Sequence, residues 1–415
     1  MNAIATSSGA AGSGLTLSLY HLLDPAVLAN PYPLYHRLRT EDPVHWDPFL
    51  HAWVVTRYCD VVRVLHDFSA DRTPNPEQLK RMNLSALSPI AAVMVKQMLF
   101  LDAPAHTRLR SLASSAFTPA RVELLRAHIQ QIADRLIDAA MDGRSRELDI
   151  IADFAEPLPA IVTAEMLGVP TNDHRQLKAW TADFAEMLGN FQHNPDHVPR
   201  VLRSLQAMLD YFRAMVQELK VRPREGLVNS LLTAEIGGDR LTEDEVIANS
   251  IITMVGGQET TTNLIGNGLL TLLRHLPEMQ RLRHDPTLIP SAVEELLRYE
   301  SPSQHTARMA PCDLELGGRK ISKRQAVIAV MGAGNRDPER FPDPDRLDLA
   351  RGDNHHLAFG WAAHFCFGAA LARIEGQVSF STILRRMPNL ALQQGPLHWR
   401  TNLGLRGLVA LPVSY

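Results

Sequence analysis

Cysteine is scarce in this chain. Its 415 residues hold three, Cys59, Cys312 and Cys366, an odd number set far apart. No two form a CxxC pair, which excludes a zinc ribbon, an iron–sulfur site and a disulfide framework, and the count suits a reducing compartment. A large charge of either sign is also missing. Lys and Arg number 42 against 45 Asp and Glu, a net charge of −3, so nothing in the balance invites nucleic acid or an anionic membrane surface. Nowhere do about 18 apolar residues run together, the length a transmembrane helix needs. Met1 to Gly14 is rich in Ala, Ser and Gly and lacks Lys and Arg. It reads as a disordered lead-in, expected to extend to residue 19, rather than as a signal peptide. The expectation is a soluble, cytoplasmic protein with neither a membrane nor a nucleic-acid partner.

What is present in quantity is apolar residue in helical order. At 45% hydrophobic composition the chain can bury a large core. Apolar positions recur at i, i+3 and i+4 through Arg121 to Met141, Val201 to Lys220 and Glu243 to Leu276. Thr242 with Glu245 forms a capping-box pattern at the head of the last, which is long enough to cross a whole domain. Shorter helices are predicted over Pro33 to Arg39 and Val61 to Leu65, around a strand at Trp53 to Thr56. Beyond Ser301, β-type runs at Leu314 to Leu316 and Ala326 to Val330 alternate with turns such as Asp337 to Pro344. Asp71 to Met98 shows no clear regularity and reads as a loop over a site. The pattern predicts one domain over residues 20–415, mainly α with a smaller β-rich part (α+β).

Four clusters carry chemistry. The run Phe359-Gly-Trp-Ala-Ala-His-Phe-Cys-Phe-Gly368 sets Cys366 just ahead of a helix-like stretch, Ala369 to Arg373. A helix N-terminus stabilises a thiolate, and a thiolate can ligate a metal, haem iron included. A small buried thiol is the other reading of the same residue. Met254 to Thr262 is an odd sequence for a helix interior, since Gly256 and Gly257 each cost roughly 1 kcal/mol relative to Ala and three β-branched threonines follow. Glycine lets a ligand approach the backbone, and the Thr260 hydroxyl can bond back to the Gly256 carbonyl and bend the helix. Glu259 beside it can donate or relay a proton; a kinked core helix is the alternative. Glu294 and Glu295 are equally spaced partners for Arg298, a pattern that usually forms a solvated bridge. His106 and Arg110, at i and i+4 after Pro104, make a basic pair that suits a carboxylate or phosphate, or simply a solvated face.

Taken together and in order, the four clusters resemble the cytochrome P450 family in its soluble bacterial form, from about residue 20 to the end. Phe359, Gly360, His364, Cys366 and Gly368 match the family's haem-ligand loop. Gly256, Gly257, Glu259, Thr260 and Thr261 match its oxygen-activation segment, and Glu295 with Arg298 its Glu-x-x-Arg pair. His106, Arg110, Arg308 and His364 match the positions that hold the haem propionates. Asn335 to Arg351 is similar to the family's Pro-rich meander, with Arg346 where it joins Glu295 and Arg298 in a buried network. One residue departs: the family usually has Gly two residues before the His of the loop, and here Ala362 stands there. If that position is left-handed, Ala costs about 1–2 kcal/mol.

The resemblance implies a P450 fold whose long central helix crosses haem b, with Cys366 as the thiolate ligand of the iron. It implies a monooxygenase that puts one oxygen atom of O2 into an apolar substrate of secondary-metabolite type, by hydroxylation or epoxidation. Thr260 and Glu259 would deliver protons. The chain holds no flavin or iron–sulfur segment, so electrons from NAD(P)H would arrive through an external ferredoxin and reductase, at a monomeric enzyme. A peroxide-dependent peroxygenase, and a non-catalytic haem-thiolate sensor or docking module, are the alternatives; the retained Glu259-Thr260 pair and Cys366 speak against both. Ile252, Val255, Gly256, Gln304, Thr306 and the turn from Leu403 to Leu405 are expected to line the pocket. Its roof is expected from Asp71 to Met98 and Leu177 to Val201, where Phe184, Met187, Leu188 and Phe191 suggest a sizeable apolar ligand.

Overall fold

A computed structural model describes residues 16–142, 146–189 and 197–415, so the expected lead-in over 1–15 lies outside it, as do Phe191 and the Leu188 side chain. The lead-in ends sooner than residue 19. Ser18 and Leu19 are buried, and the Ser18 hydroxyl and Leu19 amide donate to the Asp47 carboxylate at 2.8 and 3.0 Å.

Helices dominate. Those that build the site are α1 (Ala105–Ala116), α2 (Pro157–Leu167), α3 (His174–Gly189), α4 (Val198–Val221), α5 (Glu243–Arg274), α6 (Ile289–Tyr299) and α7 (Ala369–Arg386). The largest sheet among the described residues has strands β1 (Val44–Asp47), β2 (Ala52–Val55), β3 (Thr306–Met309) and β4 (Ala326–Ala329). Their order is β1-β2-β4-β3, with β2 and β4 parallel and the other pairs antiparallel. Two expectations are corrected. Arg121 to Met141 is broken into Pro119–Glu123 and Arg126–Met141, and Asp71 to Met98 carries helices at Pro76–Arg81 and Ser88–Met94. Each of those last two is only six or seven residues long, too short to show a periodic stripe.

Helix α5 is the axis of the molecule. Its 32 residues span about 48 Å at the α-helical rise. The capping box forms: the Glu245 amide donates to the Thr242 hydroxyl at 3.3 Å, and the Thr242 amide to the Glu245 carboxylate at 2.8 Å. The N-terminal half, Val246 to Val255, packs into an apolar cluster with Met98, Phe184, Leu205 and Phe212. The C-terminal half, Leu264 to Leu273, packs into another with Phe154, Val293, Phe380 and Ile383. Residues 256–263, Gly-Gly-Gln-Glu-Thr-Thr-Thr-Asn, belong to neither cluster. A weak, polar stretch survives in mid-helix because it sits on the seam between two cores.

Helix α6 fixes the other side of that seam. Glu295 and Arg298 are fully buried and pair through two 2.8 Å bonds. Arg298 also donates to the carbonyls of Asn335 and Pro344 at 2.8 Å and of Arg346 at 3.3 Å. Glu295 accepts in addition from Arg351 and Asn354 at 3.1 Å and from the Asp348 amide at 2.9 Å. The guanidinium of Arg346 takes no part. Its carbonyl faces the clamp, which turns the side chain outward, 67% exposed, to Asp348. Arg351 fills the place expected for it. Burying two ions is tolerable only because nearly every donor and acceptor is met. Glu295→Ala, which strands Arg298 and Arg351, is expected to cost about 3–5 kcal/mol in denaturant unfolding.

Candidate active site

The loop before α7 is closed by its own backbone. The Cys366 amide donates to the Phe359 carbonyl at 2.8 Å and the Phe365 amide to the Ala362 carbonyl at 3.0 Å. Gly360 adopts φ +72°, and a Cβ there would sit 3.5 Å from the His364 carbonyl. Ala362 is also left-handed, at φ +55°. The departure seen in the sequence therefore falls on a backbone conformation that an L side chain resists. Gly368 stands at the N-cap of α7, with open space where a Cβ would be.

Helix α6 grips this loop at both ends through one carboxylate. Glu294, the residue that spacing alone left equivalent to Glu295, accepts two 2.8 Å bonds from Arg373 in α7 and one of 3.2 Å from His356 ahead of the loop. Burial opposes its ionisation, but Arg373 and His356 overcome that and hold the carboxyl at about 2. The Arg373 guanidinium also lies 4.7 Å from the centre of the Phe359 ring. Burial pushes the Cys366 thiol up; the Gly368 backbone, Arg110 and Arg373 pull it back toward thiolate.

Across the seam, one stripe of α5 is accessible. Gly256 is exposed in mid-helix, and Thr253, Gly257 and Thr260 are partly exposed, at i, i+3, i+4 and i+7 spacing. A Cβ on Gly256 would meet nothing within 4 Å, so the stripe overlooks a hollow. A Cβ on Gly257 would instead come 2.7 Å from the Thr163 hydroxyl, so that glycine serves the close approach of α2. The Thr260 hydroxyl donates to the Gly256 carbonyl at 2.8 Å. Phe367 packs on the same cluster as Ile252 and Val255, while Cys366 packs on the other, which puts the cysteine loop on the same seam. Glu259 turns aside from the hollow. It pairs with Arg400 and lines a cleft with Glu156, Lys178, Thr181 and Gln258 that has room for water.

Positive and neutral donors gather beyond the loop. The imidazoles of His106 and His364 lie 4.1 Å apart, and burial keeps both neutral, His364 at about 3. Buried His106 Nε2 and Arg308 Nε have no hydrogen-bond partner. Such orphans are costly unless a ligand meets them. Arg110 gives one of its donors to the Phe365 carbonyl at 2.8 Å and stacks over Phe367, bracing the cysteine loop.

Two pocket expectations need adjustment. Gln304 is 2% exposed, donates to the Ser301 carbonyl at 2.7 Å and packs against Gly332, away from the hollow. Leu403 joins a cluster with Leu19, Leu34 and Tyr35; Leu405 is the residue of that turn that packs with Ile252 and Val255. Thr306 is half-buried, and its hydroxyl accepts from Arg308 at 3.2 Å. The sequence signal common to Gln304 and Leu403 was proximity along the chain to site residues, which does not fix side-chain direction.

A thiol fixed by backbone bonds, a glycine-floored hollow and a nest of unmet donors make up a site for a flat, cysteine-ligated cofactor with anionic groups at one edge. Haem with its propionates fits that donor set. The Cytochrome P450 family profile matches residues 47–398. The polyketide biosynthesis cytochrome P450 PksS of Bacillus subtilis is 38% identical over 93% of this chain and 96% of its own. The cytochrome P450 monooxygenase PikC of Streptomyces venezuelae is 38% identical over 93% of this chain and 91% of its own. The structure of P450BioI in complex with hexadec-9Z-enoic acid ligated acyl carrier protein matches at TM-score 0.87 and 36% identity, covering 94% of this chain and 99% of that one. The chain belongs to the cytochrome P450 family. It is a haem-thiolate monooxygenase of the bacterial type, and no helix among the described residues is long and apolar enough to cross a membrane.

Relaxing the strained loop tests its geometry. Ala362→Gly is expected to raise stability by about 1 kcal/mol, seen as a higher melting temperature of the haem-loaded protein.

Proposed function

We propose that this enzyme hydroxylates or epoxidises an extended apolar molecule of secondary-metabolite type, using electrons passed from NAD(P)H by a separate reductase and ferredoxin. The observation that carries the reading is the pairing, on one seam, of a backbone-fixed Cys366 with the hollow over Gly256. Cys366 would supply the thiolate that holds the iron, and Phe359, Gly360 and Gly368 shape the turn that presents it. His106, Arg308 and His364 meet the propionates, with Arg110 bracing the loop beside them. Bound haem iron supplies the activation of O2 and its transfer to a C–H or C=C bond.

The protein's own part is to bind, orient, exclude water and meter protons. Ile252, Val255 and Leu405 belong to the apolar cluster beside the hollow, which suits a ligand without charge along its length. Thr260 holds its hydroxyl over the hollow and passes a proton there. Glu259 borders the wet cleft and must let go of Arg400 before it can pass a proton to Thr260. One oxygen atom enters the product and the other leaves as water. The names of PksS and of P450BioI bound to a carrier-tethered fatty acyl chain support a long apolar substrate by kinship. We further infer a monomeric cytoplasmic enzyme with a single P450 domain over residues 20–415, most of which the family profile covers.

A panel of long-chain acids and polyketide-like compounds, titrated while watching the low-to-high-spin shift, should reveal a ligand. With that ligand, ferredoxin, reductase and isotopically labelled O2, label is expected in the product. Thr260→Ala should keep the spin shift but divert most electrons to peroxide. An unchanged product yield per NAD(P)H in that variant would remove Thr260 from proton delivery.

A further inference from the structure

A second guanidinium, that of half-buried Arg72, stands near Arg308 with no carboxylate of its own. Ser69 and Met309 exchange backbone bonds at 2.9 Å in both directions, so the chain leading to Arg72 runs alongside the end of β3 that carries Arg308. Arg72 is packed deep in the fold yet keeps some accessible surface. Its guanidinium lies 4.5 Å over the Phe100 ring, and Nη1 donates to the Ala70 carbonyl at 3.2 Å. Among the described residues neither Arg72 nor Arg308 forms an ion pair. Asp102, the nearby acid, accepts instead from the Ser69 hydroxyl and the Ala70 amide. Burial and then Arg308 bring Arg72 down to about 9; burial brings Arg308 to about 10, with Asp102 pulling it back up. Both remain charged at neutral pH. A buried guanidinium without an ion pair, with a second half-buried one near it, is best tolerated where a ligand anion completes them.

The orphaned donors point to the same gap. Arg308 Nε and His106 Nε2 are buried and unmet, and the His364 ring lies 4.1 Å from that of His106. His106, His364 and Arg308 therefore form a cradle for carboxylate, and the Ser69–Met309 bridge brings the chain that carries Arg72 to its edge. Arg72 also stands at the start of the segment that carries helices Pro76–Arg81 and Ser88–Met94, whose Ile90, Val93 and Met98 pack on the cluster that walls the hollow.

We propose that Arg72 is a further positioning residue for the cofactor: with Arg308 it holds a carboxylate at the haem edge, and so fastens the Ala70–Met98 roof segment when haem is loaded. The proposal rests on the haem reading above. It makes cofactor binding and roof ordering a single event, because one side chain belongs to both.

The test compares wild-type holoprotein with R72Q and R72K by haem transfer to excess apomyoglobin, and by hydrogen exchange over residues 70–98 with haem loaded or stripped. R72Q should lose haem about ten-fold faster, the scale of one charge-assisted hydrogen bond, with R72K in between. Loading should slow exchange over 70–98 in the wild type, and less so in R72Q. The long-wavelength band of the reduced carbon monoxide complex should stay in place in both variants, since Cys366 is untouched. Equal haem-loss rates in all three proteins, with equal protection of the segment, would overturn the proposal. Normal haem retention in R72Q with weakened binding of fatty acids alone would overturn it too, assigning Arg72 to a substrate carboxylate. If R72Q does not fold, R72K and the wild-type exchange difference decide, and no protection on loading overturns the idea. Absence of the thiolate-type band from wild type would sink the haem reading instead, which keeps the two failures apart.

Discussion

The two adjacent glutamates of α6 hold the catalytic face together. Glu295 locks Arg298, and through it the carbonyls of Asn335, Pro344 and Arg346, into one buried knot. Asn335 extends the knot to the Leu357 amide at 2.7 Å, two residues before the cysteine loop begins. Glu294 then ties the two ends of that loop to the same helix turn, through His356 and Arg373. Without these charges the loop would lose its ties to α6. With them, Cys366 has its amide, its neighbours and its helix all held by protein contacts, which is the preorganisation a metal ligand needs.

Local rules are broken where the two cores meet. Helix α5 gives up propensity at Gly256 and Gly257, Ala362 sits in a left-handed conformation, and the Arg308 guanidinium lies buried without a carboxylate. Each departure is unfavourable by itself, and the surrounding cores hold it in place. Gly256 opens onto the hollow, Ala362 lies in the cysteine loop, and Arg308 belongs with the unmet donors. A protein selected only for stability would fill that hollow and pair that charge, so their persistence marks the place where something else must bind.

Much of this was legible in the sequence because chemistry and spacing were local. The capping box at Thr242, the Thr260 bond to Gly256 and the position of Cys366 ahead of α7 each involve residues within a few positions of one another. Ala362 was visible as a misfit for the same reason. Residues whose roles depend on distant partners were not legible. Arg346 and Arg351 are the same residue type in one turn, and only the fold decides which side chain turns inward. Gln304 and Leu403 neighbour site residues in the chain but point elsewhere. The two short helices of the roof carry too few turns to show a periodic signal. Arg72 and Arg400 had no motif around them; each acquires meaning only from what the fold brings to its side.

The central claim is that Cys366 presents a thiolate to haem iron from a preformed loop. It is tested most directly by reducing the purified protein under carbon monoxide and recording the Soret band. Thiolate ligation predicts the long-wavelength band in the wild type and its loss in Cys366→Ser. A wild-type spectrum without that band, or a serine variant that keeps it, would contradict the account.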